Sequence, residues 1–234
     1  MGIGKEITEL QDKIGYKFAD LKFLETAVTH SSYSNEQKSR GHAFLSNERL
    51  EFLGDAVLQI VISKFLYENY KEQAEGSLTK MRQILVCEKT LSKIAAEINL
   101  GDYINLGRGE EMTACRNRPK ILADTLEAVF GAVFIDSNSD ESIYGPVILN
   151  LLLSEIENAY KSQKGDYKTL LQQLVEKDGT ATLCYEVVEE SGPEHDKEFT
   201  VVAKVNNNIV GRGGSKSKKG AEMKAAKVAL SLFG

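Results

Sequence analysis

The chain has 234 residues, 42% of them hydrophobic and 27% charged, with a net charge of −5. This is ordinary globular composition, enough for one large domain or two small ones with their own cores, and it excludes a disordered or fibrous chain. The first residues carry no apolar signal region, no apolar run approaches the ~20 residues of a membrane span, and the three cysteines (Cys87, Cys115, Cys184) form neither a disulfide framework nor a metal-type pair, so a cytoplasmic protein with no membrane partner is expected.

Residues 1–160 read as helical almost throughout, with apolar residues at spacings of three and four in 47–70, 77–98, 120–136 and 141–160. In the first of these, Asn47-Glu48-Arg49-Leu50-Glu51-Phe52-Leu53-Gly54-Asp55 puts Glu48, Glu51 and Asp55 at i, i+3 and i+7 on one stripe, with Leu50, Leu53, Val57 and Ile60 expected to pack around it. Like charges at that spacing cost a bare helix about 0.2–0.5 kcal/mol per pair, which a bound cation would offset. Pro119 is placed to open the 120–136 helix, where its missing N–H costs nothing. Asp124 and Glu127 share a face of that helix and are its only charges between Lys120 and Asp136. A buried carboxylate needs a partner, and no Lys or Arg is expected within the same helix to serve.

Glu48 and Glu51 taken alone read as a solvated helix face. The apolar setting of Asp124 and Glu127 argues against that for the second pair. Two helices bringing four or five carboxylates together would make an all-oxygen site suited to Mg²⁺, with Mn²⁺ able to substitute. The Glu-x-x-His of di-iron bundles is missing from both motifs, and His30, His42 and His195 have no ligand spacing, so iron and zinc are unsupported. The common chemistry of a carboxylate–Mg²⁺ site is phosphoryl transfer. Glycoside hydrolysis also uses two carboxylates, but it needs a sugar cleft, usually rich in aromatics, and the chain has no Trp.

Lys161-Ser162-Gln163-Lys164-Gly165 is short, polar and Gly-containing, and is taken as a linker between domains 1–160 and 166–234. Beyond it the period changes. Asp166 is placed to cap a helix running to about Lys177. Alternating residues from Leu183 and again from Phe199 predict strands, and Asn206-Asn207-Asn208 marks a turn before Ile209-Val210. Gly192-Pro193 reads as a hairpin loop. Ser217 is placed to cap a last, alanine-rich helix. The expected fold is therefore an all-α domain followed by a small α+β domain of order α-β-β-β-α.

Charge divides along the same line. Residues 1–160 hold 17 Lys/Arg against 24 Asp/Glu, and residues 161–234 hold 12 against 10. Within 211–227 six basic residues face one acid, Glu222. Gly211-Arg212-Gly213-Gly214-Ser215-Lys216-Ser217-Lys218-Lys219 reads as a glycine-rich loop leading from a strand into a helix. Lysines at the positive pole of a helix are favourable once an anion docks, and phosphate is the expected anion. The loop lacks the Gly-Lys-Ser/Thr of a P-loop, so no nucleotide cofactor is expected.

On these residues the chain resembles the bacterial ribonuclease III family over nearly its full length. The segment Asn47 to Asp55 matches that family's nine-residue signature. Thr29-His30-Ser31-Ser32-Tyr33, Glu75-Gly76 with Met81-Arg82, and Ala123-Asp124-Thr125-Leu126-Glu127-Ala128 fall where the family has them, and residues 166–232 resemble a double-stranded-RNA-binding domain. The resemblance implies that Glu51, Asp124 and Glu127, with Asp55, hold Mg²⁺. It makes Asp55 and Glu127 the residues whose loss stops hydrolysis, and it gives Glu48 and Glu75 a part in the cleavage site and the dimer-formed valley. It assigns Thr169, Gln172, Gln173 and Glu176 to one RNA minor groove, His195 to a second, and Lys216, Lys218 and Lys219 to the phosphates between. It also implies a homodimer through the catalytic domain, cleavage leaving 5′-phosphate and 3′-hydroxyl ends with a short 3′ overhang, and processing of rRNA precursors and other structured transcripts. A non-catalytic RNA-binding regulator would be marked by a lost carboxylate, and all six are present. A small-molecule phosphatase would leave the C-terminal domain without a role.

Overall fold

The computed structural model describes residues 3–113, 115–164, 167–176, 181–193 and 196–232. The chain forms two compact units, Met1–Ala159 and Tyr160–Gly234. No helix among the described residues is long and apolar enough to cross a membrane.

The first unit is helical: α1 (Ile3–Ile14), α2 (Leu21–Ala27), α3 (Ser31–Ser39), α4 (Glu48–Asn69), α5 (Glu75–Leu85), α6 (Glu88–Glu97), α7 (Arg108–Met112), α8 (Pro119–Asp136) and α9 (Glu141–Lys164). Its core is built around α8, which is apolar on nearly every side, as a central helix must be. Leu122, Leu126, Val129, Phe130 and Val133 are all buried, and Pro119 opens the helix as the sequence predicts. Against it α4 presents Leu50, Gly54, Val57, Leu58 and Val61. The two helices meet backbone to backbone. A Cβ on Gly54 would overlap the carbonyl oxygen of Glu127 and lie 2.9 Å from the Gly131 nitrogen, and a Cβ on Gly131 would overlap the Leu50 carbonyl oxygen. Glycine is what permits this approach. Leu50 and Val57 pack as expected, whereas Ile60 is 61% exposed, on the flank of α4 that also carries exposed Phe52 and Tyr67.

The far end of α8 is held by Asp136. Its carboxylate accepts from the Tyr16 hydroxyl (2.8 Å) and from the backbone N–H groups of Ala19 (2.8 Å) and Asp20 (2.9 Å). An acid at a helix C-terminus opposes the helix dipole, and these three donors compensate. Burial, followed by the bond to Asp136, pushes the Tyr16 hydroxyl up to about 12.

Two expectations about helix limits are corrected. The apolar period over 77–98 belongs to two helices, α5 and α6, broken at Val86–Cys87. The break carries no strong stop signal in sequence: Cys87 stands at the N-cap of α6 without a side-chain capping bond, and Thr90 donates back to the Ile84 carbonyl (2.6 Å). The stretch 161–164, read as linker, continues helix α9 to Lys164. Gly165, Asp166 and Lys177 lie outside the described residues.

The second unit has α10 (Tyr167–Glu176), then β1 (Leu183–Ser191), β2 (Glu198–Val205), β3 (Asn208–Ser215) and α11 (Lys218–Leu230). The strands form one antiparallel sheet in the order β1-β2-β3. A tight turn at Asn206–Asn207, with φ of 49° and 68°, joins β2 to β3; asparagine tolerates that left-handed region better than most residues. Leu171, Val175, Val201, Ala203, Ala221, Ala225, Ala226 and Ala229 make the core. The glycine-rich segment is not a loop: Gly211 to Ser215 continue β3, and only Lys216 and Ser217 lie between strand and helix. Cβ atoms on Gly211 and Gly213 would overlap the backbone of Ala225, so these glycines let α11 lie directly on the strand. Ser217 caps α11, its hydroxyl accepting from the Gly220 N–H (3.1 Å).

Candidate active site

The crossing of α4 and α8 places Glu51 beside Asp124 and Glu127. Oxygens of these three half-buried carboxylates lie within 4.8 Å of one another. Asp55, one turn beyond Glu51, holds the Gln59 amide (3.2 Å), and its charge is the largest electrostatic influence on Glu127. Burial, then the charges of Asp55, Asp124 and Glu51, push the Glu127 carboxyl up to about 7. Glu51 is raised as well, first by burial and then by Asp124.

Lys120 partly offsets this charge. It pairs with Asp124 at 2.9 Å, an i,i+4 pair, and its own ammonium is held above its ordinary value by that bond. Lys120 lies within α8, four residues before Asp124, which corrects the expectation that no basic residue of that helix serves the acids. The signal was the four-residue spacing itself.

Glu48, at the start of α4, is exposed and accepts from the Ser46 hydroxyl (2.8 Å). With His30, Ser31, Asn47, Glu51, Lys120 and Asp124 it lines an open cleft of about 370 Å³. The wall of this cleft is fixed by short bonds. Asn47 is buried, and its N–H donates to the Thr29 carbonyl (2.8 Å). The His30 ring accepts from the Ser32 N–H (3.2 Å), capping α3, and the Ser32 hydroxyl accepts from the Gly107 N–H (2.9 Å). The sequence reading quoted His30, Ser31 and Asn47 only as motif residues. Glu75 stands apart from the other acids: it opens α5, accepts from the Thr79 hydroxyl (2.9 Å) and borders a separate pocket with Ser63, Leu66, Tyr67, Leu78 and Arg82.

The donor set is all carboxylate oxygen, and Glu127 is held partly protonated by repulsion and burial. A divalent cation fits this demand, and Glu51, Asp124 and Glu127 are the residues that would hold it.

In the second unit Thr169, Gln172 and Glu176 lie along one stripe of α10, beside the face that buries Leu171 and Val175, and the Gln172 amide donates to Glu176 (3.0 Å). The side chain of Gln173 and the whole of His195 lie outside the described residues. Lys216, Lys218 and Lys219 are exposed where β3 passes into α11.

Residues 20–152 match the Ribonuclease-III-like family model, and residues 167–232 match the double-stranded RNA binding motif. Ribonuclease 3 of Natranaerobius thermophilus is 47% identical over 226 residues, spanning 97% of this chain and 96% of that protein. Ribonuclease 3 of Bacillus cereus is 44% identical over 220 residues, spanning 94% and 88%. The nuclease domain of Campylobacter jejuni ribonuclease III superposes with a TM-score of 0.57 at 37% identity, covering 64% of this chain and 96% of that one. A second structure of that domain, with a TM-score of 0.56 at 38% identity over 62% of this chain and 95% of that one, concerns structural flexibility in a region involved in dimer formation. A helical nuclease unit followed by a double-stranded-RNA-binding motif defines an endoribonuclease directed at duplex RNA. The chain belongs to the ribonuclease III family.

Proposed function

We propose that the protein hydrolyses double-stranded RNA with Mg²⁺, or with Mn²⁺ in its place, giving 5′-phosphate and 3′-hydroxyl ends with a short 3′ overhang. In the cell it acts in the cytoplasm on rRNA precursors and other structured transcripts. The single observation that carries this reading is the convergence of Glu51, Asp124 and Glu127 from two helices. When bound, the cation supplies Lewis acidity at the scissile phosphate. Glu51, Asp124 and Glu127 hold it there, with Asp55 beside Glu127. Asp55 and Glu127 orient the attacking water in line with phosphorus, and the 3′-oxygen leaves. Glu48 rims the entry of the cleft. Thr169, Gln172, Gln173, Glu176 and His195 meet the minor grooves, and Lys216, Lys218 and Lys219 meet phosphates. This suits a duplex whose major groove is too narrow for side chains.

The active form is a homodimer of nuclease units. Exposed Phe52 (82%), Ile60 (61%) and Tyr67 (75%) on one flank of α4 support this, as does the position of Glu75 away from its own chain's cleft. The test is cleavage of labelled duplex and single-stranded RNA with Mg²⁺ or with chelator, for the native protein and Glu127→Gln, with product ends mapped. Duplex alone is cut, chelator stops it, and Glu127→Gln lowers the rate at least ~100-fold while still binding duplex. Near-native cleavage by that variant would falsify the site assignment.

A further inference from the structure

Across from the lysines of the second unit lies their charge complement. Between Glu186 and Glu198 the chain holds six acids and one lysine, Lys197. The sheet register brings this segment to the basic end: Glu190 pairs with Phe199, and Phe199 with Ser215, the last residue of β3. Three ion pairs follow, Lys216 with Asp196 at 2.6 Å, Lys218 with Glu190 at 2.8 Å and Arg212 with Glu189 at 3.5 Å. Lys218 also lies over the Phe199 ring, 5.2 Å from its centroid, and its bond to Glu190 holds that carboxyl below its ordinary range. All six charged side chains remain substantially exposed, so no fold requirement buries them.

We propose that the acidic β1–β2 hairpin is a built-in competitor for RNA: Asp196 and Glu190 occupy Lys216 and Lys218 in the free protein, and duplex phosphates bind by displacing them. The inference rests on the reading that these lysines meet phosphates. An exposed carboxylate–lysine pair is weak and readily exchanged. A phosphate arriving at the same ammonium gains a contact of similar kind, less what the departing carboxylate loses. The hairpin therefore sets a threshold: a polyanion touching one lysine gains almost nothing, whereas a duplex engaging several at once, with α10 seated as well, exceeds it. The acids act as specificity-determining residues without touching RNA.

The experiment measures binding of a labelled RNA duplex to the full-length protein by fluorescence anisotropy in chelator, where it is not cut. Asp196→Asn and Glu190→Gln keep the side-chain shapes, and each tightens Kd about two- to fivefold. Lys216→Ala and Lys218→Ala weaken binding. Because each acid acts through its lysine, Asp196→Asn added to Lys216→Ala leaves Kd unchanged, and Glu190→Gln added to Lys218→Ala does the same. If the acid substitutions tighten binding equally with the lysines absent, the acids merely repel RNA through space and the exchange is overturned. If they do nothing while the lysine variants weaken binding, the exchange is overturned and the phosphate contacts stand. If the lysine variants also bind normally, the underlying reading fails, and the proposal with it.

Discussion

The two units use glycine in the same way and charge in opposite ways. In the first, Gly54 and Gly131 let two helices touch along their backbones; in the second, Gly211 and Gly213 let a helix lie on a strand. The close approach in the first unit crowds like charges: Glu51, Asp124 and Glu127 converge, and Lys120 answers only in part. In the second, every described partner of Lys216 and Lys218 among the ion pairs is an acid of the neighbouring hairpin. One unit has negative charge only partly compensated, and the other has Lys216 and Lys218 already occupied. Catalytic and binding functions thus begin from different electrostatic states of the free protein.

The largest effect is expected from Gly54→Ala. A Cβ there overlaps a backbone carbonyl that cannot swing aside, so α4 and α8 must part. The cost is about 1–3 kcal/mol, or a melting-temperature fall of roughly 3–10 °C in the first unit, with cleavage lost because the carboxylates separate. Melting of the second unit stays where it was. An unshifted first transition would show that the close crossing is not what holds the site together.

A middling effect is expected from pH. The folded Glu127 carboxyl titrates near 7, above its ordinary value of 4.5. Between those values the folded state keeps a proton that the unfolded state has lost, so metal-free stability falls as pH rises through that window and levels off above it. Millimolar Mg²⁺ should flatten the fall by stabilising the ionised form. The check is the difference in melting temperature between the native protein and Glu127→Gln from pH 5 to 8; a difference that grows in the native protein's favour as pH rises contradicts the assignment.

The smallest effect belongs to Lys120→Met. The Lys120–Asp124 pair is partly exposed, at 73% and 26%, so stability should move by no more than about 0.5 kcal/mol. Losing the competing ammonium should tighten Mg²⁺ binding about two- to fivefold without RNA, as read by titration calorimetry. Weaker Mg²⁺ binding would mean that Lys120 orients Asp124 rather than competing with the cation.

Much of this was legible beforehand, for identifiable reasons. The i, i+3, i+7 stripe of Glu48, Glu51 and Asp55, and the apolar helix around Asp124 and Glu127, are periodic signals, and they led directly to the central helices. Lys120, inside the expected 120–136 helix, was missed because its four-residue spacing from Asp124 was not read as a pair. Gly211 to Gly214 read as a loop because glycine is depleted in strands, and nothing local announces that another helix will need the space. Glu75 lies in a different pocket from Glu48, Glu51 and Asp124, near Glu68 instead, so only the resemblance pointed to it. The Lys216–Asp196 pair joins residues twenty apart through a sheet register that periodicity does not encode.

The grip on Asp136 has a consequence for the front of the chain. Tyr16, Ala19 and Asp20 donate hydrogen bonds to the last carboxylate of the helix that carries Asp124 and Glu127. Shortening the protein past Asp20 would therefore do more than remove α1: it would leave a bare anion against the negative pole of that helix, about 13 Å along the axis from Glu127. Tyr16, Ala19 and Asp20 work as a rear mooring for the rod on which the acids ride.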